Sequence, residues 1–179
     1  MPLAYVNGKV YYSAQATEAA NRSSLYEWTP GDSKAKKIDT VVFPLGLSAD
    51  AKIAASLSVL SDSSSCSNVT EVATGKRLWR TCDYQVRGFT PDGATAIGGP
   101  AYSDGYGDGL AAALDAKTGN LLHEWSGTFR QTVAEDDQHL LLLADDGEDT
   151  KASIIRCTIT TGACELATPL ARGALLIGS

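Results

Sequence analysis

The sequence predicts an all-β chain of about four four-stranded antiparallel units, and three observations carry that prediction. The first is a recurring glycine turn. "EWTPGDSKAKKI", "EVATGKRLWR", "LDAKTGNLLHEW" and "CTITTGACEL" place Gly31, Gly75, Gly119 and Gly162 at intervals of 44, 44 and 43 residues. The second is an aspartate turn in phase with it: "GLSADAK", "GFTPDGA" and "TVAEDDQ" place Asp50, Asp92 and Asp136 at intervals of 42 and 44 residues. The third is the apolar pattern. Hydrophobic residues alternate or run in short blocks such as "LLLLA" at 140–144, which suits strands and not a 3.6-residue helical period.

Within one period the elements follow a fixed order. A short run leads into the aspartate turn, as in "YQVRGFTPDG", and an apolar strand such as "ATAIGG" or "HLLLLA" leaves it. A polar loop comes next, then a strand ending at the Thr-Gly turn, as in "LAAALDAKTG", and an exit strand such as "NLLHEWSG". The units read near 2–40, 41–83, 84–127 and 128–169, with 170–179 as a closing strand or the start of a next unit. Four-stranded units of about 40–45 residues are the mark of a β-propeller. Three ways of closing stay open: part of a larger ring, a half-ring that pairs with a second copy through its open edges, or a ring of four. The first is preferred, with a homodimer as its consequence in isolation, because unpaired edges seek partners.

Size and charge bound the function. The chain has 179 residues, enough for one sizeable core. A net charge of -6 and a pI of about 4.8 argue against a nucleic-acid partner, which calls for a basic face. The one basic run, "KAKK" at 34–37, reads as a solvated edge strand that lysine protects from stray pairing. No apolar run reaches the roughly 20 residues of a membrane span, and "MPLAYVNGKVYY" lacks the pattern of a signal peptide.

Two segments carry a resemblance. "EVATGKRLW" and "ALDAKTGNLLHEW" resemble the repeats of quinoprotein-like propellers, whose docking motif runs roughly A-x-D-x-x-T-G-x-x-x-W. The first matches at Thr74, Gly75 and Trp79. The second matches at Ala113, Asp115, Thr118 and Gly119, but His123 stands in the tryptophan's place and Trp125 follows two residues later. The "FTPDG" and "LSAD" turns are closer to WD40-, YVTN- or TolB-like propellers. The resemblance implies that Trp79 packs between blades, and the same role is expected of Trp125 and Trp28. It does not carry the quinone cofactor across, because no cofactor or calcium ligands map onto this chain. Such folds serve many functions.

Both cysteine pairs straddle a Thr-Gly hairpin. Cys66 and Cys82 flank Thr74-Gly75, and Cys157 and Cys164 enclose "TITTGA". Opposed strand positions sit close to disulfide range, so the local pairing 66–82 with 157–164 is expected. A zinc site is the rival, but no C-x2-C exists. Two disulfides imply an oxidising compartment, hence an extracytoplasmic domain whose export signal or membrane anchor lies outside this chain.

Residues suited to catalysis are few. His123 and His139 are the only histidines, and no G-x-S-x-G or phosphate-binding glycine loop is present. The loops between the second and third strands of each unit are polar and share one face. They carry Tyr102, Asp104, Tyr106 and Asp108, then Asp145, Asp146, Glu148 and Asp149. Clustered carboxylates of this kind hold calcium in other settings, but "DGYGDG" lacks the EF-hand spacing, so solvated loops are the default and no cofactor is expected. This face is the expected contact for a protein or glycan partner. The leading reading is a non-catalytic binding or sensor scaffold. The rival is part of a hydrolase or lyase whose active site lies mainly in blades outside this chain.

Overall fold

A computed structural model describes residues 1–15, 22–61, 64–103, 107–145 and 151–172. The first sheet holds β1 (Pro2–Val6), β2 (Lys9–Gln15), β3 (Ser23–Trp28) and β4 (Lys36–Val42). The second holds β5 (Pro44–Leu47), β6 (Ile53–Ser61), β7 (Ser64–Glu71) and β8 (Arg77–Thr81). The third holds β9 (Tyr84–Phe89), β10 (Thr95–Pro100), β11 (Asp108–Asp115), β12 (Leu121–Ala134), β13 (His139–Asp145), β14 (Ala152–Thr158) and β15 (Cys164–Leu166). Strands neighbour one another in chain order, and among the described residues each pairing is antiparallel. Among the described residues there is no helix.

The third sheet has seven strands because β12 serves two units. Its first part pairs with β11, and from Phe129 onward it pairs with β13. Fourteen residues run without a turn between the two roles, so the boundary read near 127–128 falls inside one strand.

Local chemistry explains the recurring turns. The Asp50 carboxylate accepts hydrogen bonds from the Ser48 hydroxyl at 2.8 Å and the Lys52 N–H at 3.0 Å, and the Ile53 N–H donates back to Ser48 Oγ. Asp92 repeats this with Thr90 and Ala94, and Asp136 accepts from the Gln138 and His139 N–H groups. These are side-chain-closed turns, the reason aspartate recurs there. At the Thr-Gly turns, the N–H groups of Gly75, Gly119 and Gly162 reach back four residues to the carbonyls of Glu71, Asp115 and Thr158. The three glycines have φ of 73°, 77° and 70°, a left-handed conformation that costs glycine little.

Three buried clusters fill the junctions between successive units. Tyr11, Leu25 and Val41 meet Leu47, Ala54 and Val72 at the first. Val69 and Trp79 meet Val86, Ala96, Ala112 and Leu114 at the second. Ile97, Ala113 and Trp125 meet Leu140, Leu142 and Cys157 at the third. Strand alternation therefore buries both faces of the middle units, one toward each neighbour. Two disulfides pin outer hairpins: Cys66–Cys82 and Cys157–Cys164, each with a Cα–Cα distance of 4.1 Å.

Candidate functional site

At each junction a side chain reaches across to the next unit's glycine turn. At the second, a Cβ placed on Gly119 would fall 2.7 Å from Cδ2 and 2.8 Å from Cε3 of Trp79, so the indole covers that glycine. Trp79 Nε1 donates to the Ala116 carbonyl at 2.8 Å. At the third junction the two tasks are divided. His123 covers Gly162, and Trp125 Nε1 donates to the Gly162 carbonyl at 3.0 Å. The two rings lie 5.1 Å apart. At the first junction Thr40 touches Gly75 and donates its hydroxyl to the Val72 carbonyl at 2.6 Å. Trp28 instead donates to the carbonyl of Asp32 in its own turn.

At the end of the sheets that carries the β10–β11 and β13–β14 connections, two arginines on inner strands hold described acidic side chains. Asp108 is buried and binds the Arg87 guanidinium through both carboxylate oxygens, one contact with Nη1 and one with Nη2 at 3.2 Å. Arg87 Nε also donates to Gln85 Oε1 at 2.9 Å. Asp145, 5% exposed at its side chain, pairs with Arg130 Nε. The Ser65 hydroxyl donates to the Ala101 carbonyl at 2.6 Å, tying the second unit to this loop. Tyr102 is 52% exposed beside it. Asp104, Tyr106, Asp146 and Asp149 lie outside the described residues.

The inner strands line a central cavity of about 510 Å³, walled by Leu3, Leu47, Phe89 and Val133 among others. Tyr5 and Arg87 are the titratable side chains of its described lining, and Arg87 is already paired with Asp108. Neither is a carboxylate or an imidazole, so this lining presents no acid–base pair. His139 Nδ1 sits 3.0 Å from the Asp136 carboxylate. Glu135, Asp136 and His139 are spaced as metal ligands could be, but Glu135 is held by Arg156 at 2.6 Å and Asp136 by its own turn.

A larger cleft, of about 930 Å³, opens at the opposite end of the sheets, between the first two units. Antiparallel order sends the β5–β6 and β7–β8 turns to one end and the β6–β7 connection to the other. This cleft sits at the former. Ile38, Ile53, Val72 and Leu78 give it an apolar floor, with Tyr11 and Glu27 at one side. Tyr11 donates to Glu27 Oε2 at 2.7 Å, and Lys9 binds Glu27 Oε1 at 2.8 Å. Burial, then the bond to Glu27, pushes the Tyr11 phenol up to about 12. The hydrogen bonds from Lys9 and Tyr11 hold the Glu27 carboxyl below its usual range. The sequence signal for this cleft was available: the first unit has "KAKKI" where the second has "GKRLW".

Solved structures with this architecture are found at low sequence identity. The chain is similar to TolB from Acinetobacter baumannii, at 17% identity and a TM-score of 0.62 over 94% of this chain and 43% of that one. It is similar to the β-propeller domain of the Trilobed protease from Pyrococcus furiosus, at 12% identity and a TM-score of 0.67 over 96% of this chain and 57% of that one. BamB from Moraxella catarrhalis matches at 14% identity and a TM-score of 0.57, over 99% of this chain and 50% of that one. The fold is that of a β-propeller. This chain spans between 43% and 57% of the length of these three solved chains. No protein-family model matches the sequence, and no curated protein does.

Proposed function

We propose that this chain is a non-catalytic, extracytoplasmic β-propeller segment that presents its polar-loop face to a protein or glycan partner. One observation carries the reading: the acidic side chains described on that face, Asp108 and Asp145, are each bound to an arginine of an inner strand. Such pairs make a fixed platform for exposed recognition residues such as Tyr102, because loops held on a rigid scaffold are well suited to recognition. The two disulfides support placement outside the cytoplasm.

The same reading includes association through an open edge. Tyr11 faces the second unit, so alternation turns Val10 and Tyr12 to the other face of the first sheet. There Tyr12 stacks on Tyr26 at 5.4 Å. Sedimentation over a range of concentrations tests this, and a strict monomer at high concentration counts against it.

The test of recognition is a photo-crosslinking residue at position 102, followed by mass spectrometry of the crosslinked species from the native compartment. One partner, captured with the crosslinker at position 102 and not with the crosslinker at Lys76 on the opposite end of the sheets, is the expected result. Hydrolysis of peptide or ester substrates by the purified chain would instead favour the enzyme reading. Four free thiols in protein taken from its host would remove the extracytoplasmic placement.

A further inference from the structure

The strand ladders show why the cleft between the first two units exists. In the second unit Trp79 pairs with Val69, six residues before Gly75, and in the third His123 pairs with Ala113, six residues before Gly119. The corresponding pair in the first unit joins Leu25, six residues before Gly31, to Ile38. At this register position the second junction therefore receives an indole and the third an imidazole. The first receives an isoleucine, with Thr40 supplying the glycine contact and the hydrogen bond. The volume that an aromatic ring fills elsewhere is open here.

The charges around the opening narrow what could enter. Four carboxylates line it, and three are bound to a cation: Glu27 to Lys9, Asp39 to Lys37 and Asp50 to Lys52. Glu71 accepts the Thr74 hydroxyl. Lys36 and Lys117 also line the cleft, and no described carboxylate lies within ion-pair distance of either. A cleft with an apolar floor where rings fill the other junctions, rimmed by two lysines that have no ion-pair partner among the described residues, suits a flat aromatic group that carries an anion.

We propose that the cleft between the first and second units binds an aromatic carboxylate, with the ring on Ile38, Val72 and Leu78 and the carboxylate toward Lys36 and Lys117. This site lies at the end opposite the polar-loop face and stands or falls independently of the function proposed above. The two sources of such a group, a free small molecule and a tryptophan flanked by acidic residues in a peptide, are separated by the two probes below.

The experiment follows methyl NMR signals of Ile38, Ile53 and Leu78 in the full chain during titration with N-acetyl-tryptophan, and separately with a short peptide holding tryptophan between aspartates. Saturable shifts at these methyls with either probe are expected, and which probe binds tighter identifies the source. Ile38→Trp, which supplies the missing ring from within, should abolish the shifts and raise Tm. The surface variant Lys36→Gln/Lys117→Gln keeps the test valid should Ile38→Trp fail to fold. It should weaken N-acetyl-tryptophan about tenfold, while binding of the uncharged N-acetyl-tryptophanamide stays unchanged. No saturable shift with either probe at millimolar concentration overturns the proposal. So does equal weakening of the acid and the amide by the lysine variant.

Discussion

The indole of Trp79 covers Gly119 across the second junction, close enough that a methyl group on the glycine would sit 2.7 Å from the ring. The two residues are 40 positions apart and belong to successive units, so their contact is tertiary in origin. Trp79→Ala removes a buried ring and strands the Ala116 carbonyl, and a loss of about 3–5 kcal/mol is expected. Gly119→Ala adds both a clash and a left-handed alanine, costing about 1–2 kcal/mol from the backbone alone. The penalty of Gly119→Ala should shrink in the Trp79→Ala background. Chemical denaturation of the two single variants and the double variant checks this, and strict additivity would mean that the contact is energetically silent.

The disulfides should contribute unequally. Closing the longer loop of Cys66–Cys82 stabilises by about 3 kcal/mol in the chain-entropy picture, and Cys157–Cys164 by about 2.5 kcal/mol. Pairwise replacement by serine, followed by thermal melts with and without reductant, separates them. Each double variant should lose part of its sensitivity to reductant, and the quadruple variant all of it.

Asp108 should matter more to stability than its place on an acidic loop suggests. Replacing it with alanine leaves the Arg87 guanidinium beside a buried position without its carboxylate. Arg87 is 40% exposed, so water relieves part of the cost and about 1–3 kcal/mol is expected. Arg87→Ala combined with Asp108→Ala should cost less than the sum of the two single changes. Urea midpoints of the three variants supply the comparison.

Stability should fall at both ends of the pH scale. The Lys52 ammonium and the Ser48 hydroxyl hold the Asp50 carboxyl down to about 2, and its turn lowers Asp136 as well. A depressed carboxylate stabilises the fold above its unfolded value near 4, and that contribution is lost as pH falls toward 2. Tyr11 and Tyr84 move the other way, both to about 12, through burial and then hydrogen bonds to Glu27 and Glu124. Their contribution is present below the unfolded value near 10 and is lost as pH rises from there to 12. Absorbance at 295 nm should show two tyrosines ionising near pH 12, and Glu27→Gln should bring Tyr11 down.

Much of the architecture was legible because it rests on local chemistry. Asp92 closes a turn whose partners lie within three residues of it, and Gly119 bonds a carbonyl four residues back. The cysteine pairing followed from hairpin geometry for the same reason. The division of labour between His123 and Trp125 was only half visible: the displaced tryptophan could be read, but not that the imidazole takes the glycine while the indole takes the carbonyl. Asp108 and Asp145 read as solvated loop residues, since their arginines lie 21 and 15 positions away.

The sequence by itself determined the period, the strand order and the turns, because each depends on groups a few residues apart. Tertiary structure alone decided what fills each junction. The registers of β3 with β4 and of β7 with β8 set which residue faces the next unit, and the size of that side chain decides between a packed seam and a cleft. Trp79 closes one seam, while Ile38 and Thr40 leave the other open.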